Sequence, residues 1–246
     1  MRMFYIDKGK MRAVFSAVFV LALCVGAWAV NVGDETVTTA ARDNTELLAH
    51  VTSAGNPKNS GVSLLFSVDE NTDINTLAET MQILADNKIK ATFFLTGKFA
   101  EKHADVVLSM QEFGHEIGVS GYEAVSPGNL DYAENLTSLE KASTVIRNIT
   151  NQAAKYYSPP FGVLEEDIYN AVNESELTFV LAGVDSLDWD DVSTEAVIST
   201  VLTKAEKGSL ISLHSTEMTN LGLQTIINEL KGLKLKFLTV SENVGK

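Results

Sequence analysis

The sequence predicts an α/β protein whose parallel strands form a distorted barrel of seven strand–helix units behind an apolar N-terminal segment. From residue 61 onward, short apolar runs typical of strands alternate with segments of about 10 to 16 residues that have helical periodicity. Units that alternate in this way build parallel sheets. With 246 residues, 45% of them hydrophobic, the chain is long enough to enclose one large core.

The N-terminal segment has the length and charge pattern of a membrane anchor. Residues 13–30 contain no charged side chain, and at roughly 1.5 Å per residue a helix of this length spans about 27 Å, near the thickness of bilayer hydrocarbon. Residues 1–12 are basic, which predicts a cytoplasmic leader, a single transmembrane helix and an extracytoplasmic body. Cleavage after Ala29, with secretion of the body, stays open because Ala27 and Ala29 fit a small-x-small site.

Charge and cysteine content limit the chemistry of the body. The formal net charge of −13 argues against nucleic acid as a partner. The only cysteine, Cys24, lies in the apolar segment, so the body has neither a disulfide nor a thiolate metal site. Residues 31–60 are polar and end in "SAGNPKNSG", which predicts a juxtamembrane linker before a folded domain at 61–246.

The elements of the body follow in a regular order. Runs rich in β-branched and aromatic residues predict strands, namely VSLLFSV, ATFFLT, HEIGVS, KYYSPPFG, LTFVLAGV, SLISLHS and KFLTVS. Apolar residues at helical spacing predict helices in INTLAETMQILADN, KFAEKHADVVLSMQEF and NLTSLEKASTVIRNITN, and near 165–173, 194–204 and 221–231. In such barrels the loops at the carboxyl ends of the strands build the site.

Several motifs in these loops resemble one known family. "KATFFLTGKFAEKHADVV" followed by "GHEIG", and then "SPPFG", "DSLDW" and "ISLHS", are similar to the polysaccharide deacetylases with a NodB-homology domain (carbohydrate esterase family 4), especially membrane-anchored sporulation-type members. The resemblance covers residues 61–242. It implies hydrolysis of N-acetyl groups by a divalent metal, usually zinc, held by an Asp and two His, with a second Asp as base and a late His as acid.

Key positions of that family pattern hold other residues here. The base position falls on Ser67, the two His ligands fall on Ser120 and Ala124, and an Arg that pairs with the base falls on Ser158. A serine hydroxyl does not accept a proton near neutral pH as a carboxylate does, and a zinc site needs at least three protein ligands. We therefore predict no metal cofactor, with zinc or another divalent ion only if an unorthodox enzyme site exists.

Other family positions are retained. The resemblance makes Asp185, Asp188 and His214 the remnant of the acid side of the reaction, where an Asp beside His214 would raise the pKa of the imidazole and fix its tautomer. A simple hydrogen bond between two loops is the alternative interpretation. Four further residues are predicted to line a substrate pocket: Tyr122, Phe161, Trp189 and Leu213.

Several other residues near these motifs have alternative or structural interpretations. Asp69 could enter the pocket in a shifted register, or could lie with Glu70 in a solvated loop. His115 belongs to the "GHEIG" lead-in and is predicted to be structural. A serine-type triad of Ser67, His214 and one of the two aspartates is disfavoured, because Ser67 does not lie in a Gly-x-Ser-x-Gly turn.

These observations predict a catalytically degenerate deacetylase-like protein outside the membrane. Its expected role is a non-catalytic module that binds cell-wall glycan or interacts with an envelope protein. Two alternatives remain, a metal-dependent N-deacetylase of peptidoglycan or another polysaccharide with a non-standard site, and a structural scaffold in an envelope or spore-assembly complex.

Overall fold

The structure is a computed structural model that describes residues 47–190 and 192–245. The predicted leader, the predicted anchor and most of the predicted linker lie outside these ranges. Within them, none of the helices combines the length and the apolar character needed to cross a membrane.

Eight short strands form one sheet in which every ladder is parallel. The strand order is β5-β4-β3-β2-β1-β7-β6, and β8 pairs with the beginning of β1. The bounds are β1 (Gly61–Val68), β2 (Thr92–Leu95), β3 (Glu116–Val119), β4 (Tyr156–Tyr157), β5 (Thr178–Phe179), β6 (Val184–Asp185), β7 (Leu210–His214) and β8 (Lys236–Phe237). This parallel arrangement confirms the predicted α/β class with parallel strands.

The helices connect these strands, and most of them begin at a side chain that caps the first turn. Asp131 forms a capping box with Glu134, and Asp73, Ser193 and Thr216 each accept a backbone N–H of the turn they precede. The helices are α1 (Ile74–Asp86), α2 (Gly97–Lys102), α3 (Ala104–Glu112), α4 (Tyr132–Thr150), α5 (Glu166–Glu174), α6 (Thr194–Lys204), α7 (Glu217–Gly232) and α8 (Val240–Val244).

The closure of the sheet differs from the predicted seven-unit barrel. The single strand predicted in "LTFVLAGV" is two short strands, β5 and β6, at opposite ends of the strand order, and within the described ranges no ladder joins them. The preceding chain lies beside this gap, because Thr52 bridges to Val180 and Ala54 bridges to Ser209. The sheet is therefore a partly open barrel.

The same bridges place the start of the folded body earlier than residue 61. The compact unit begins at Leu47, and Val51 is buried in the core. At Gly183 a Cβ atom would lie 2.7 Å from the carbonyl oxygen of Ser53, so only glycine allows the two segments to approach this closely. Residues 51–60, predicted as linker, thus pack on the body.

Alternation along the strands separates two cores and orients the site. In β1, Leu64 and Phe66 face the helices, whereas Leu65 packs with Phe94 and Leu210 in a second cluster on the other face of the strands. Side chains two residues apart share a face of a strand. Ser67 at the end of β1 therefore follows Leu65, on the face that is enclosed by the barrel.

Candidate functional site

The carboxyl ends of neighbouring strands bring the polar residues of the motifs to one edge of the sheet. Ser67 is paired in register with His214 of β7, and Asp185 of β6 is paired with Ser212. On the other side of β1, the pairing of β3 with β4 places Ser120 and Ser158 side by side, and the Ser120 hydroxyl donates to the Ser158 carbonyl at 2.8 Å. Ser67 makes no side-chain hydrogen bond with His214.

His214 and Asp188 form the best-defined polar pair of this edge. One carboxylate oxygen of Asp188 lies 2.8 Å from Nδ1 of His214, and the other accepts the backbone N–H of His214 at 2.7 Å. The Thr219 hydroxyl, in the first turn of α7, donates to the same carboxylate. The Asp188 side chain is fully buried, while 34% of the His214 side chain is exposed. Nε2 is thus the ring nitrogen left for a ligand.

Burial and the interaction between Asp188 and His214 shift the pKa of each of these two side chains in opposite directions. Burial raises the pKa of Asp188, but the hydrogen bonds and charge of His214 and the Thr219 hydroxyl outweigh it and hold the pKa below its ordinary value. Burial lowers the pKa of His214, but the hydrogen bond and charge of Asp188 and the charges of Asp185 and Asp69 raise it above its ordinary value. The imidazole is therefore held ready to carry a proton, and its Nδ1 is fixed toward Asp188.

Asp185 is hydrogen-bonded to the indole of Trp189 and not to His214. Its carboxylate accepts the indole N–H of Trp189, with Nε1 3.3 and 3.2 Å from the two oxygens, and the backbone N–H of Leu187 at 2.9 Å. Of the two aspartates, only Asp188 is hydrogen-bonded to His214. Asp185 therefore fixes the edge of an indole of which 61% is exposed.

Ser120 and Ala124, at the positions that the resemblance assigns to histidine ligands, form hydrogen bonds with neighbouring loops. Ser120 is bound to Ser158, and the backbone N–H of Ala124 donates to Oε1 of Glu70 at 3.1 Å. The other oxygen of Glu70 accepts the Thr96 hydroxyl at 3.1 Å. In the part of the chain that the structure describes, no three His, Cys, Asp or Glu side chains are grouped so that they could hold a metal ion. The residues present do not fit the zinc site that the resemblance implies.

The role of Glu70 could not be read from the sequence, which shows only two acidic residues in a loop. Its neighbour Asp69 closes the turn after β1, where it accepts the backbone N–H of Asn71 and the Thr72 hydroxyl. His115 is buried at the opposite end of β3 and accepts the Ala91 N–H at Nδ1, and burial, with the charge of Lys90, lowers its pKa to about 4. This placement is structural, as predicted.

The four predicted lining residues lie in three different environments. Trp189 and Phe161 are exposed, and Phe161 has 75% of its surface free and a φ of 61°, a conformation that is unusual for an aromatic residue. Leu213, by contrast, is fully buried in the core between strands and helices. Its neighbour His214 faces the other side of β7 because successive side chains of a strand alternate.

Tyr122 lines a separate cavity and does not lie at the His214–Asp188 pair. Its hydroxyl donates to Glu101 at 2.8 Å, and the Lys141 ammonium lies 3.4 Å from its ring centroid. The cavity has a volume of about 530 Å³ and is bounded by the loop after β3, the first turns of α4 and Pro160. None of His214, Asp188 and Trp189 lines it.

The fold and this edge define an α/β barrel protein with a polar site at the carboxyl ends of its strands, as in many enzymes that act on small or polymeric substrates. The family model for polysaccharide deacetylase matches residues 55–180, just over half of the chain. The chain belongs to the polysaccharide deacetylase family.

Individual relatives and solved structures extend this comparison. A peptidoglycan-N-acetylglucosamine deacetylase of Bacillus cereus is 29% identical over 184 residues, which covers 73% of this chain and 66% of that protein. An uncharacterized protein of Bacillus subtilis, YlxY, is 27% identical over 188 residues, covering 76% of this chain. The chain spans 58% of the length of YlxY, and thus less than two thirds of either relative.

Two crystal structures superpose over most of the described body. A peptidoglycan N-acetylglucosamine deacetylase in complex with an N-oxidanyl-benzamide compound is 27% identical, with a TM-score of 0.75, and the match covers 80% of this chain and 94% of that chain. A pseudoenzyme of carbohydrate esterase family 4 from Bacillus anthracis is 24% identical, with a TM-score of 0.74, covering 78% and 68%. The second likeness is one of fold.

Proposed function

We propose that this protein is a non-catalytic member of its family that binds cell-wall glycan at the carboxyl ends of β6, β7 and β1. One observation carries the proposal. Ser120 and Ala124, which stand where the family pattern has metal-binding histidines, take part in hydrogen bonds between loops, with Ser158 and Glu70 as their partners. The His214–Asp188 pair at the end of β7 is complete.

The groups that remain suit binding better than hydrolysis. An acid without a base or a metal cannot activate water for attack on an amide, since both a nucleophile and a proton donor are needed. The exposed indole of Trp189 offers a flat apolar surface for the apolar face of a sugar ring. His214 and Asp185 next to it supply directed polar contacts that fix the orientation of a ligand.

The class of glycan follows from the relatives. The Bacillus cereus relative is a deacetylase of peptidoglycan N-acetylglucosamine. We propose that this chain binds the same type of polymer but does not catalyse the same reaction. The proposed ligand is therefore a β-linked glycan of the peptidoglycan or chitin type.

Two measurements on the full chain test this function. Calorimetric titration with chitin tetramer and with peptidoglycan fragments should show binding that weakens about five- to thirtyfold in Trp189→Ala, since stacking on an aromatic ring contributes roughly 1–2 kcal/mol. Phe113→Ala is the matched control, because Phe113 has 58% of its surface exposed just after α3, before β3 begins. Absence of binding to every glycan would overturn the proposal and favour a scaffold role.

The second measurement is release of acetate from the same oligosaccharides. We expect no turnover, with or without added zinc. The complete His214–Asp188 pair favours an unorthodox deacetylase as the second candidate. Turnover that is abolished by His214→Ala and unchanged in Phe113→Ala would establish that enzyme and refute the binding module.

We also propose that residues 13–30 anchor the protein in the cell membrane with its body outside. The support is the uncharged length of this segment and the basic residues before it. In fractionated cells the protein should remain with membranes in high salt, and external protease should digest the body. Release of a body that begins at residue 30 would instead establish cleavage.

A further inference from the structure

The edge of the sheet at β6, β7 and β1 carries three carboxylates, and within the described ranges no lysine or arginine forms an ion pair with them. Asp185 ends β6, Asp188 follows it, and Asp69 follows β1. His214, on the strand between, is paired with Asp188, and the charges of Asp185 and Asp69 act on the same imidazole. Among the ion pairs of the described ranges, the two that involve lysine are Lys90–Glu242 and Lys98–Glu123, neither of which includes these aspartates.

The charge of this group is therefore negative in either state of the histidine. A protonated His214 balances only one of the three carboxylates, and that one is buried in the pair with it. The other two are only partly buried, so a ligand can approach them. A negative potential at the site attracts a cationic ligand more strongly than a neutral one.

At Trp189 a carboxylate lies at the edge of an exposed aromatic ring, where it is available to a cationic group of a ligand. Both carboxylate oxygens of Asp185 are within 3.3 Å of the indole nitrogen, so the carboxylate is held at the edge of the exposed ring. A sugar ring that stacks on the indole face would bring an equatorial substituent to that edge. An ammonium there donates charge-assisted hydrogen bonds to Asp185, whereas an acetamido group is uncharged and bulkier.

We infer that this site prefers glycans whose 2-amino groups are free, that is de-N-acetylated amino sugars, over their N-acetylated counterparts. The inference rests on the proposed glycan-binding function and adds the chemical form of the ligand. The protein would then recognise the product, and not the substrate, of an N-deacetylation reaction. Asp185 and Trp189 are the residues that set this preference.

The test compares two tetramers of the same length on the full chain, tetraglucosamine and tetra-N-acetylglucosamine, by calorimetric titration at pH 6. At low salt we expect the free amine to bind about tenfold tighter, the equivalent of one charge-assisted hydrogen bond. The ratio should fall below about threefold in Asp185→Asn, because the amide keeps the shape but loses the charge. Asp105→Asn, a carboxylate in the first turn of α3, is the matched control and should keep the ratio.

Each other outcome has a defined meaning. Equal or tighter binding of the N-acetylated tetramer overturns the inference and leaves the glycan-binding function standing. Binding of neither tetramer overturns the function itself. Since the chain carries a net charge of −13, tetralysine is titrated in parallel. The inference is also overturned if the preference for the free amine persists in Asp185→Asn or Trp189→Ala and tetralysine binds as well. That result would mean non-specific attraction between opposite charges.

Discussion

Replacing Asp188 with alanine removes the acceptor of three hydrogen bonds at once. The donors are the backbone N–H and the ring of His214, at 2.7 and 2.8 Å, and the Thr219 hydroxyl. Breaking a buried ionic pair by removing one partner costs about 3–5 kcal/mol, because the remaining groups stay buried without a partner. At about 2–4 °C per kcal/mol for a domain of this size, the melting temperature should fall by roughly 6–20 °C.

Asp185 provides the comparison for this substitution. It also ends a strand segment and accepts two donors, but it is partly exposed, so Asp185→Ala should cost only about 1 kcal/mol. Both variants are unfolded in urea and monitored by far-UV circular dichroism. If Asp188→Ala loses no more stability than Asp185→Ala, the buried pair does not stabilise the fold and our reasoning fails.

The pH dependence of the same pair has a sign that follows from the two pKa shifts. The pKa of Asp188 is lower in the folded protein, so its stabilisation is present above the unfolded value, about 3.9, and is lost as the pH falls through the folded value. The pKa of His214 is higher in the folded protein, so its stabilisation is present below about 6.5 and is lost as the pH rises through the folded value. The pair therefore stabilises most between about pH 4 and 6.5.

The isosteric variant Asp188→Asn isolates this effect. Its loss of stability relative to the natural chain should be larger at pH 5.5 than at pH 8.5, and an NMR titration should show the pKa of His214 lowered. A loss that is equal at both pH values would mean that packing, and not charge, explains the role of Asp188.

Three further substitutions test other parts of the structure. Glu70→Ala should cost roughly 1–2 kcal/mol and speed proteolysis of the loop after β3, since Glu70 bonds that loop and the start of α2; an unchanged cleavage rate would contradict this. His115, with a pKa of about 4, lowers stability as the pH falls from about 6.5 to 4, because the unfolded chain binds the proton first; His115→Asn should flatten that decline in urea titrations, and an unchanged slope would refute it. Gly183→Ala should cost about 1–3 kcal/mol because its Cβ would meet the Ser53 carbonyl oxygen, whereas Gly232→Ala has open space and should be neutral or stabilising; equal melting temperatures would contradict the contact.

The sequence predicts the elements well where local pattern decides them. Strand–helix alternation is visible in the chain itself and identifies most of the strands and helices. The split of "LTFVLAGV" into two strands is not visible, because Val180 bridges Thr52, a residue more than 120 positions away. Contacts of that range leave no local signal.

The candidate site shows the same division. The motifs identify Asp185, Asp188 and His214, but only the structure shows that Asp188 binds the histidine while Asp185 binds the indole. Leu213 lies on the opposite face of β7 from His214, because adjacent residues of a strand face opposite sides. The hydrogen bond of Glu70 with residue 124 could not be predicted from the sequence. Its partner is a backbone amide, which every non-proline residue carries.

The polar groups at this edge divide into two halves with different physical roles. In the half near β3 and β4, Ser120 and the carboxylate of Glu70, which reaches the loop after β3, form hydrogen bonds with neighbouring loops. Around β6 and β7, Asp185 and His214 retain groups that solvent or a ligand can reach. If binding uses only the second half, Glu70→Ala should lower stability and leave the glycan dissociation constant within about twofold, whereas Asp185→Asn should change the dissociation constant and cost about 1 kcal/mol or less of stability. Loss of binding in Glu70→Ala under conditions where that variant is folded would show that the two halves act together.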